Sequence, residues 1–482
     1  MTRPNVLFLF TDDQRFDTMS AMGNPEIETP NLDRLAARGT LFTHAHIMGG
    51  TSAAICMPSR AMLMTGRTLF RLERQGQCIP PEHKTMPEQF RASGYVTSHF
   101  GKWHQDRESH RRSFTTGGKI FGFKSDKGWY EACNGHWHIP VHDFDSNAEY
   151  APDGGYNEPS IKPFQAPFET VKEDGKHSAE VFSDAAIESI TSHPASEAGK
   201  AGKPFFTYLA HIAPHDPRQY PKRFLEQYPA ERVRLPENFQ IRHPFDNGAL
   251  LVRDELLAAF PRRPHEIRRH LADYYAIIAH VDEQVGRVLD ALETSGQADN
   301  TVIVFAGDNG LAVGQHGLMG KQNLYDHSIR VPLIMAGPGI PEGQRTDALC
   351  YLLDLFPTLC ELAGVDVPDT VEGRSLAPVL HDPSATVRDV LHFAYIRTQR
   401  AVRNRRYKLI EYAVDGQRTS QLFDLQEDRL ERNNLVASPA HQDILQDLRA
   451  ELRRWETELG DTREMGQSFW STVHASAEPP PG

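Results

Sequence analysis

The chain has 482 residues, with 52 Lys+Arg against 64 Asp+Glu and a formal net charge of −12. A content of 39% hydrophobic and 9% aromatic residues supports a sizeable core, which excludes global disorder, and the acidic balance argues against a nucleic-acid partner. No run approaches the roughly 18 apolar residues of a membrane helix.

The first apolar run, Val6 to Phe10, is strand-length and followed at once by Thr11-Asp12-Asp13, with no longer apolar region or cleavage site of a secretory signal. The expected location is cytoplasmic as the sequence stands, or periplasmic or secreted if a leader was removed. Asn31 to Arg38 reads as a short helix ended by Gly39. Thr85-Met86-Pro87-Glu88 is a capping box opening a helix, with Gly94 placed as its terminating glycine. Tyr95 to Phe100 is a weaker strand, and residues 105 to 175 read as a long polar insertion rich in glycine and aromatics. Phe205 to Ala210 and Val302 to Ala306 are continuous apolar strands, as expected where both faces are covered. Between them, Glu266 to Leu292 is a long amphipathic helix with Tyr274, Ile277, Ile278, Val281, Val285 and Val288 on one stripe. Val331 to Met335 is a further strand, which Pro332 would confine to a strand start or an edge.

Past residue 385 the texture changes to short strands (Ala401 to Arg403, Tyr407 to Ile410, Gln421 to Leu425), an Asp415-Gly416 turn, and a helix near Gln442 to Leu459. The expected fold is α/β: a large, mostly parallel sheet flanked by helices (residues 1–385), with a smaller antiparallel-sheet-plus-helix subdomain (386–482). Gly460 to Gly482 is expected to be a loose tail.

The informative pattern lies in the polar residues at the end of each strand. Asp12 and Asp13 come after the first, Lys102 and His104 after the second, His211 and His215 after the third, and Asp308 and Asn309 after the fourth. Ligands of open α/β sheets bind beyond the carboxyl ends of the strands, so these residues are expected on a common rim. Any one alone could be a turn or cap residue. Asp12, Asp13, Asp308 and Asn309 are hard oxygen donors suited to Ca²⁺ or Mg²⁺, and three clustered carboxylates would repel one another without a cation.

The second constellation is Cys56-Met57-Pro58-Ser59-Arg60, continued by Thr65-Gly66-Arg67. Pro58 suits the first turn of a helix whose free N–H groups would face Cys56 and an oxyanion, and Arg60 adds a fixed cationic fork. Taken alone, this reads either as a nucleophilic cysteine or as a small buried one. The other cysteines, Cys78, Cys133, Cys350 and Cys360, show no CxxC and read as buried thiols rather than disulfide or zinc ligands.

This segment resembles the signature of the type I, formylglycine-dependent sulfatases of the alkaline phosphatase-like superfamily. The resemblance extends, in family order, through Asn5-Val6-Leu7 to Asp12-Asp13, Gly101-Lys102-Trp103-His104, Ala213-Pro214-His215, Gly307-Asp308-Asn309-Gly310, Gly320-Lys321 and Gly373-Arg374-Ser375-Leu376. It implies that a formylglycine-generating enzyme oxidises Cys56 to an aldehyde whose hydrate supplies an oxygen nucleophile, so that Cys56 is not a thiolate. It also implies a Ca²⁺ site, with Mn²⁺ or Mg²⁺ as alternatives, made by Asp12, Asp13, Asp308, Asn309 and the modified Cys56. By the same resemblance Asp308 accepts the nucleophile's proton, Arg60 and Lys102 hold the nucleophile and developing charge, His215 and Lys321 assist departure of the alcohol, and His104 releases sulfate. The implied substrate is a sulfate ester of a saccharide or other small alcohol.

Gln105-Asp106-Arg107-Glu108 and Asp326 depart from common family usage, and both are expected to border the substrate rim. His136, Trp137, His138 and His142 in the insertion read as solvated or substrate-contacting residues, with a second metal as the alternative. Two other functions compete: hydrolysis of phosphonate monoesters or phosphodiesters by the same machinery, and a non-enzymatic binding role.

Overall fold

The computed structural model describes residues 3–121, 123–125, 128–131, 176–216, 218, 220–462 and 464–475. The histidine- and tryptophan-bearing positions 136, 137, 138 and 142, and Cys133, lie outside the described residues.

In chain order the strands are β1 (Asn5–Asp12), β2 (Gly39–His46), β3 (Gly49–Gly50), β4 (Val96–Lys102), β5 (Thr116–Phe121), β6 (Phe123–Ser125), β7 (Gly128–Glu131) and β8 (Phe205–Pro214). They continue as β9 (Thr301–Gly307), β10 (Arg330–Ala336), β11 (Gln344–Thr346), β12 (Cys350–Tyr351), β13 (Leu391–Tyr395), β14 (Gln399–Arg403), β15 (Tyr407–Val414) and β16 (Gln417–Asp424). The large sheet runs β11-β2-β10-β9-β1-β8-β4-β5, with β12 also on β2. It is parallel from β9 through β5, while β10 runs antiparallel to both neighbours.

Alternation along β1 explains the two layers. Val6, Phe8 and Phe10 enter one core, with the Cys56–Thr65 and Leu355–Ala363 helices. Leu7 and Leu9 enter the other, with the Pro264–Thr294 and Ser178–Ser192 helices. The apolar stripe of the Pro264–Thr294 helix is buried as expected. The Thr85 capping box forms both of its hydrogen bonds, and Gly94 follows at φ +95.

The second sheet runs β16-β15-β14-β13-β3. Its strands from residue 391 onward are antiparallel, and the Gly49–Gly50 strand, from far upstream, pairs parallel with β13. Asp415 and Gly416 have φ +49 and +73, the turn geometry that an Asp-Gly hairpin loop favours.

Several expectations are corrected. Pro332 does not put its strand at an edge: β10 lies between β2 and β9, and the proline sits where the register to β2 shifts, a bulge that needs no N–H there. Gly39 is not a left-handed cap but the first residue of β2, where a Cβ would come 2.0 Å from the Met335 carbonyl oxygen. The stretch from residue 105 is not loop at its start, since it holds a helix, Arg107–Ser113, and β5. Nor is the chain from Gly460 to Ala475 a loose tail, while residues 476–482 lie outside the described residues. A helix spans Glu464–Ala475 and buries Phe469, Trp470 and Val473 against β14, β15 and β16. Cys78 is half-buried, whereas Cys350 and Cys360 are buried.

Candidate active site

The carboxyl ends of β1, β4, β8 and β9 converge, as the strand-end pattern predicts. Asp12 closes β1 and Lys102 closes β4, where Gly101 at φ +98 accommodates a register shift that a Cβ would block by meeting the Ala210 carbonyl oxygen at 2.0 Å. Asp13 and His104, the residues just beyond, hold left-handed backbones at φ +66 and +72, and such conformations at non-glycine residues cluster at functional sites. Cys56 is the first residue of the Cys56–Thr65 helix rather than the residue preceding it, and the whole helix is buried.

Arg60 lies across the middle. Its Nε donates to Asp308 Oδ2 at 2.8 Å, its second nitrogen to the Lys102 carbonyl at 3.0 Å, and its guanidinium stands 4.9 Å over the Phe10 ring. Ser59 Oγ donates to the Asp308 carbonyl at 2.5 Å, fixing helix to strand end. The Asp13 N–H donates to Asp308 Oδ1 at 3.0 Å, and Asn309 Nδ2 to Asp13 Oδ1 at 2.7 Å. Lys102 bonds to Asp12, and Lys321 Nζ donates to Asp13 Oδ1 at 2.5 Å. Cys56 Sγ lies 3.4 Å from His104 Nδ1 and 3.9 Å from Lys102 Nζ. His215 Nε2 is 3.7 Å from Asp13 Oδ2.

Three cations, Arg60, Lys102 and Lys321, thus face three carboxylates, so carboxylate repulsion by itself does not demand a metal. The donor chemistry does fit one. Asp12 Oδ1 and Asn309 Oδ1 are buried without a hydrogen-bond partner. Ligand atoms of Asp12, Cys56 and Asp308 lie within 4.8 Å of one another, as do those of Asp12, Asp13 and His215. Oxygen donors dominate both groups, as a hard divalent cation prefers.

Burial would raise the Asp12 carboxyl, but Lys102, His215, Arg60 and Lys321 hold it well below the usual carboxylate range. Asp308 goes the other way, pushed up to about 7 by burial and by Asp12. Burial pushes the Cys56 thiol up to about 12, outweighing Lys102 and Lys321. Burial, with Lys102 and Arg60 beside it, keeps the His104 imidazole well below its ordinary value and therefore neutral.

His211 does not join the rim. It lies inside β8, fully buried, and its electrostatic neighbour is His280 of the Pro264–Thr294 helix. Gln105, Asp106 and Asp326 are likewise not rim residues. Gln105 is buried and braces the Cys56 helix through the Met57 carbonyl at 2.8 Å, while Asp106 caps the Arg107–Ser113 helix. Asp326 is buried among Arg330, Arg403 and Lys408. One contributor escapes sequence reasoning: the Tyr274 hydroxyl donates to the Asp13 carbonyl at 2.6 Å and accepts the Arg15 N–H at 2.9 Å. Its apolar neighbours mark Tyr274 as core, and only its polar tip signals otherwise.

The family model described as Sulfatase matches residues 4–365. The chain belongs to the sulfatase family. It is a sulfuric ester hydrolase of the alkaline phosphatase-like superfamily, a family that works with a metal ion and formylglycine. A second model, N-sulphoglucosamine sulphohydrolase, C-terminal, matches residues 314–458 of this sulfatase. An ulvan-active sulfatase of Formosa agariphila is 28% identical over 95% of this chain and 82% of its own. An N-acetylglucosamine-6-O-sulfatase of Bacteroides thetaiotaomicron is 27% identical over 90% of this chain and 82% of its own. Among solved structures, the phosphonate monoester hydrolase of Agrobacterium radiobacter superposes with a TM-score of 0.73 at 21% identity, covering 96% of that chain and 95% of this one. Among the described residues, no helix of this sulfatase is long and apolar enough to cross a membrane.

Proposed function

We propose that the site hydrolyses sulfate monoesters of saccharides, using an oxygen nucleophile at position 56 formed when a formylglycine-generating enzyme oxidises Cys56. The observation carrying this reading is the Cys56 thiol itself. Burial pushes it up to about 12, which disfavours a thiolate, and it sits among hard donors, 3.4 Å from His104 Nδ1 and 3.9 Å from Lys102 Nζ. An oxygen in that place suits both the neighbouring cations and a hard metal. The saccharide class follows the two sulfatase relatives, which are named for ulvan and for N-acetylglucosamine 6-O-sulfate.

Asp12, Asp13, Asp308, Asn309 and the modified residue 56 would hold Ca²⁺, which supplies positive charge at the sulfate oxygens. Asp308 takes the proton of the attacking hydroxyl. Arg60 and Lys102 orient that hydroxyl and carry developing negative charge, being preorganised by the Asp308 and Asp12 contacts. His215 and Lys321, both against Asp13, serve the departing alcohol as proton donor and cation. His104, neutral beside position 56, is the base that frees sulfate. Residues 1–385 form the catalytic unit and 386–482 the subdomain packed onto it.

Protein whose residue-56 aldehyde has been verified is assayed with an aryl sulfate, an aryl phosphonate monoester and a panel of defined saccharide sulfates. Higher kcat/KM on the sulfates is expected, with one saccharide well above the aryl ester. A preference for the phosphonate would instead make the chain a phosphonate monoester hydrolase. No turnover of any ester would leave only a binding role.

A further inference from the structure

Three consecutive residues in the 240s–250s segment, Arg253-Asp254-Glu255, each reach a different support of the leaving-group side. Arg253 bonds to Asp216, whose other carboxylate oxygen is 3.4 Å from His215 Nδ1 and whose carbonyl lies 2.7 Å from the same nitrogen. Asp254 Oδ2 accepts from Gln322 Nε2 at 2.6 Å, and the Gln322 amide also donates to the Ala53 carbonyl at 3.0 Å, three residues before Cys56. Gln322 Oε1 in turn accepts the Lys321 N–H at 3.0 Å. Glu255 accepts the Met319 and Gly320 N–H groups, one on each oxygen and both at 2.9 Å, and pairs with buried Arg262. Arg262 extends the bracing to the Gly317 carbonyl at 2.9 Å. The fit is close: a Cβ on Gly320 would meet Gln322 Oε1 at 2.5 Å and Glu255 Oε1 at 3.0 Å.

We infer that Arg253, Asp254 and Glu255 are positioning residues that clamp His215 and Lys321 together, so that both act on the same departing oxygen. The inference rests on the leaving-group roles given above to those two residues. None of the three residues need touch the sulfate. Their work is orientation: a displacement of about 1 Å in such a group can cost on the order of 10²-fold in rate. Because the clamp holds the two groups that serve the departing alcohol, its loss should weigh most on poor leaving groups. A phenol acidic enough to leave unprotonated should hardly notice it.

Arg253→Ala is the first variant, because the Arg253 side chain is half-exposed and its removal opens no cavity, and the thermal melt reports the cost of taking this partner from buried Asp216. Glu255→Gln is the second, since the amide nitrogen it introduces would face an N–H donor where an acceptor is required. Each is measured for kcat and KM on 4-nitrophenyl sulfate and on the sulfate ester of an unactivated alcohol, with thermal melting alongside and His215→Ala as reference. The clamp predicts a fall of about tenfold or more in kcat on the alkyl ester, little change on the aryl ester, unchanged KM, and partial recovery in Arg253→Lys. Equal losses on both esters in Arg253→Ala, or none on either, overturn the clamp while a selective His215→Ala keeps the catalytic reading. If His215→Ala itself shows equal losses, the leaving-group reading fails and the clamp falls with it. Should Glu255→Gln not fold, Arg253→Ala and Arg253→Lys decide alone.

Discussion

Cys56 is the residue on which the proposed chemistry turns, and its surroundings make a direct expectation. A thiol held up to about 12 by burial is a poor nucleophile at neutral pH, so activity should require its conversion. Mass spectrometry of the peptide spanning Cys56, taken from active protein, should show loss of sulfur and gain of an aldehyde; full activity from unmodified thiol would defeat the mechanism. The oxygen atoms left without partners on Asp12 and Asn309 give a second test. Asn309→Ala removes one donor and also the amide that bonds Asp13 at 2.7 Å. Elemental analysis of that variant should find the bound divalent ion largely lost, with turnover reduced by about 10²-fold or more, on the scale of disrupted metal sites. Normal metal content in Asn309→Ala would remove Asn309 from the ligand set.

At the scale of elements, the helix Glu464–Ala475 is the one whose importance composition hides. Its Trp470 is 2% exposed and its Nε1 donates to Asp461 at 2.9 Å, the same carboxylate that receives the buried Arg400 guanidinium. Trp470→Ala would leave a cavity under β14–β16 and remove a donor from that carboxylate. A loss of about 3–5 kcal/mol is expected for such a truncation. It should appear as a lowered melting temperature, and a change within the scatter of surface substitutions would show that the helix contributes no packing.

Across the whole molecule, the two sheets are joined by a buried charge network. Asp326 Oδ1 lies 2.9 Å from Lys408 of β15, and its Oδ2 lies 3.3 Å from Arg403 of β14 and 3.5 Å from Arg330 of β10. Glu431 completes it, 2.7 Å from Lys408. Burial would raise the Asp326 carboxyl, but Lys408, Arg403 and Arg330 hold it well below the usual range. A carboxyl lowered on folding adds stability above its unfolded pKa of about 3.9, and that stability is lost as pH falls through the folded value. Glu431 runs the other way, pushed up to about 7 by burial, so its contribution declines as pH rises from about 4.3 towards 7. Asp326→Asn takes the carboxylate from Arg403 and Arg330 and leaves Lys408 with Glu431 alone, and should cost about 3–5 kcal/mol near neutrality. It should also flatten the loss of melting temperature below about pH 4. An unchanged acid limb in that variant would show that the network does not govern acid stability.

The strand ends are legible from local order alone, whereas Cys56 reads locally as either a nucleophile or a small buried thiol, and only the resemblance to the sulfatase signature points to an oxygen nucleophile there. An apolar run followed by Asp12-Asp13, Lys102 or Asp308-Asn309 places side chains beyond a parallel sheet, because such strands present their carboxyl ends to one rim. The Cys56 to Arg60 spacing carries the chemistry within a single helical turn or so. What spacing cannot carry is a pairing across hundreds of residues. The sequence between Gly39 and His46 is too mixed to announce an interior strand, and Pro332 argues locally against the position that β10 takes, where a bulge removes the need for its missing donor. His211 sits on the face of β8 away from the site, a choice made by strand alternation together with the helix packed behind it. Arg253-Asp254-Glu255 looks like any solvated charged triplet. Only the folded chain sets it against His215 and the Lys321 loop, because hydrogen bonds between segments distant in sequence depend on the packing that brings them together.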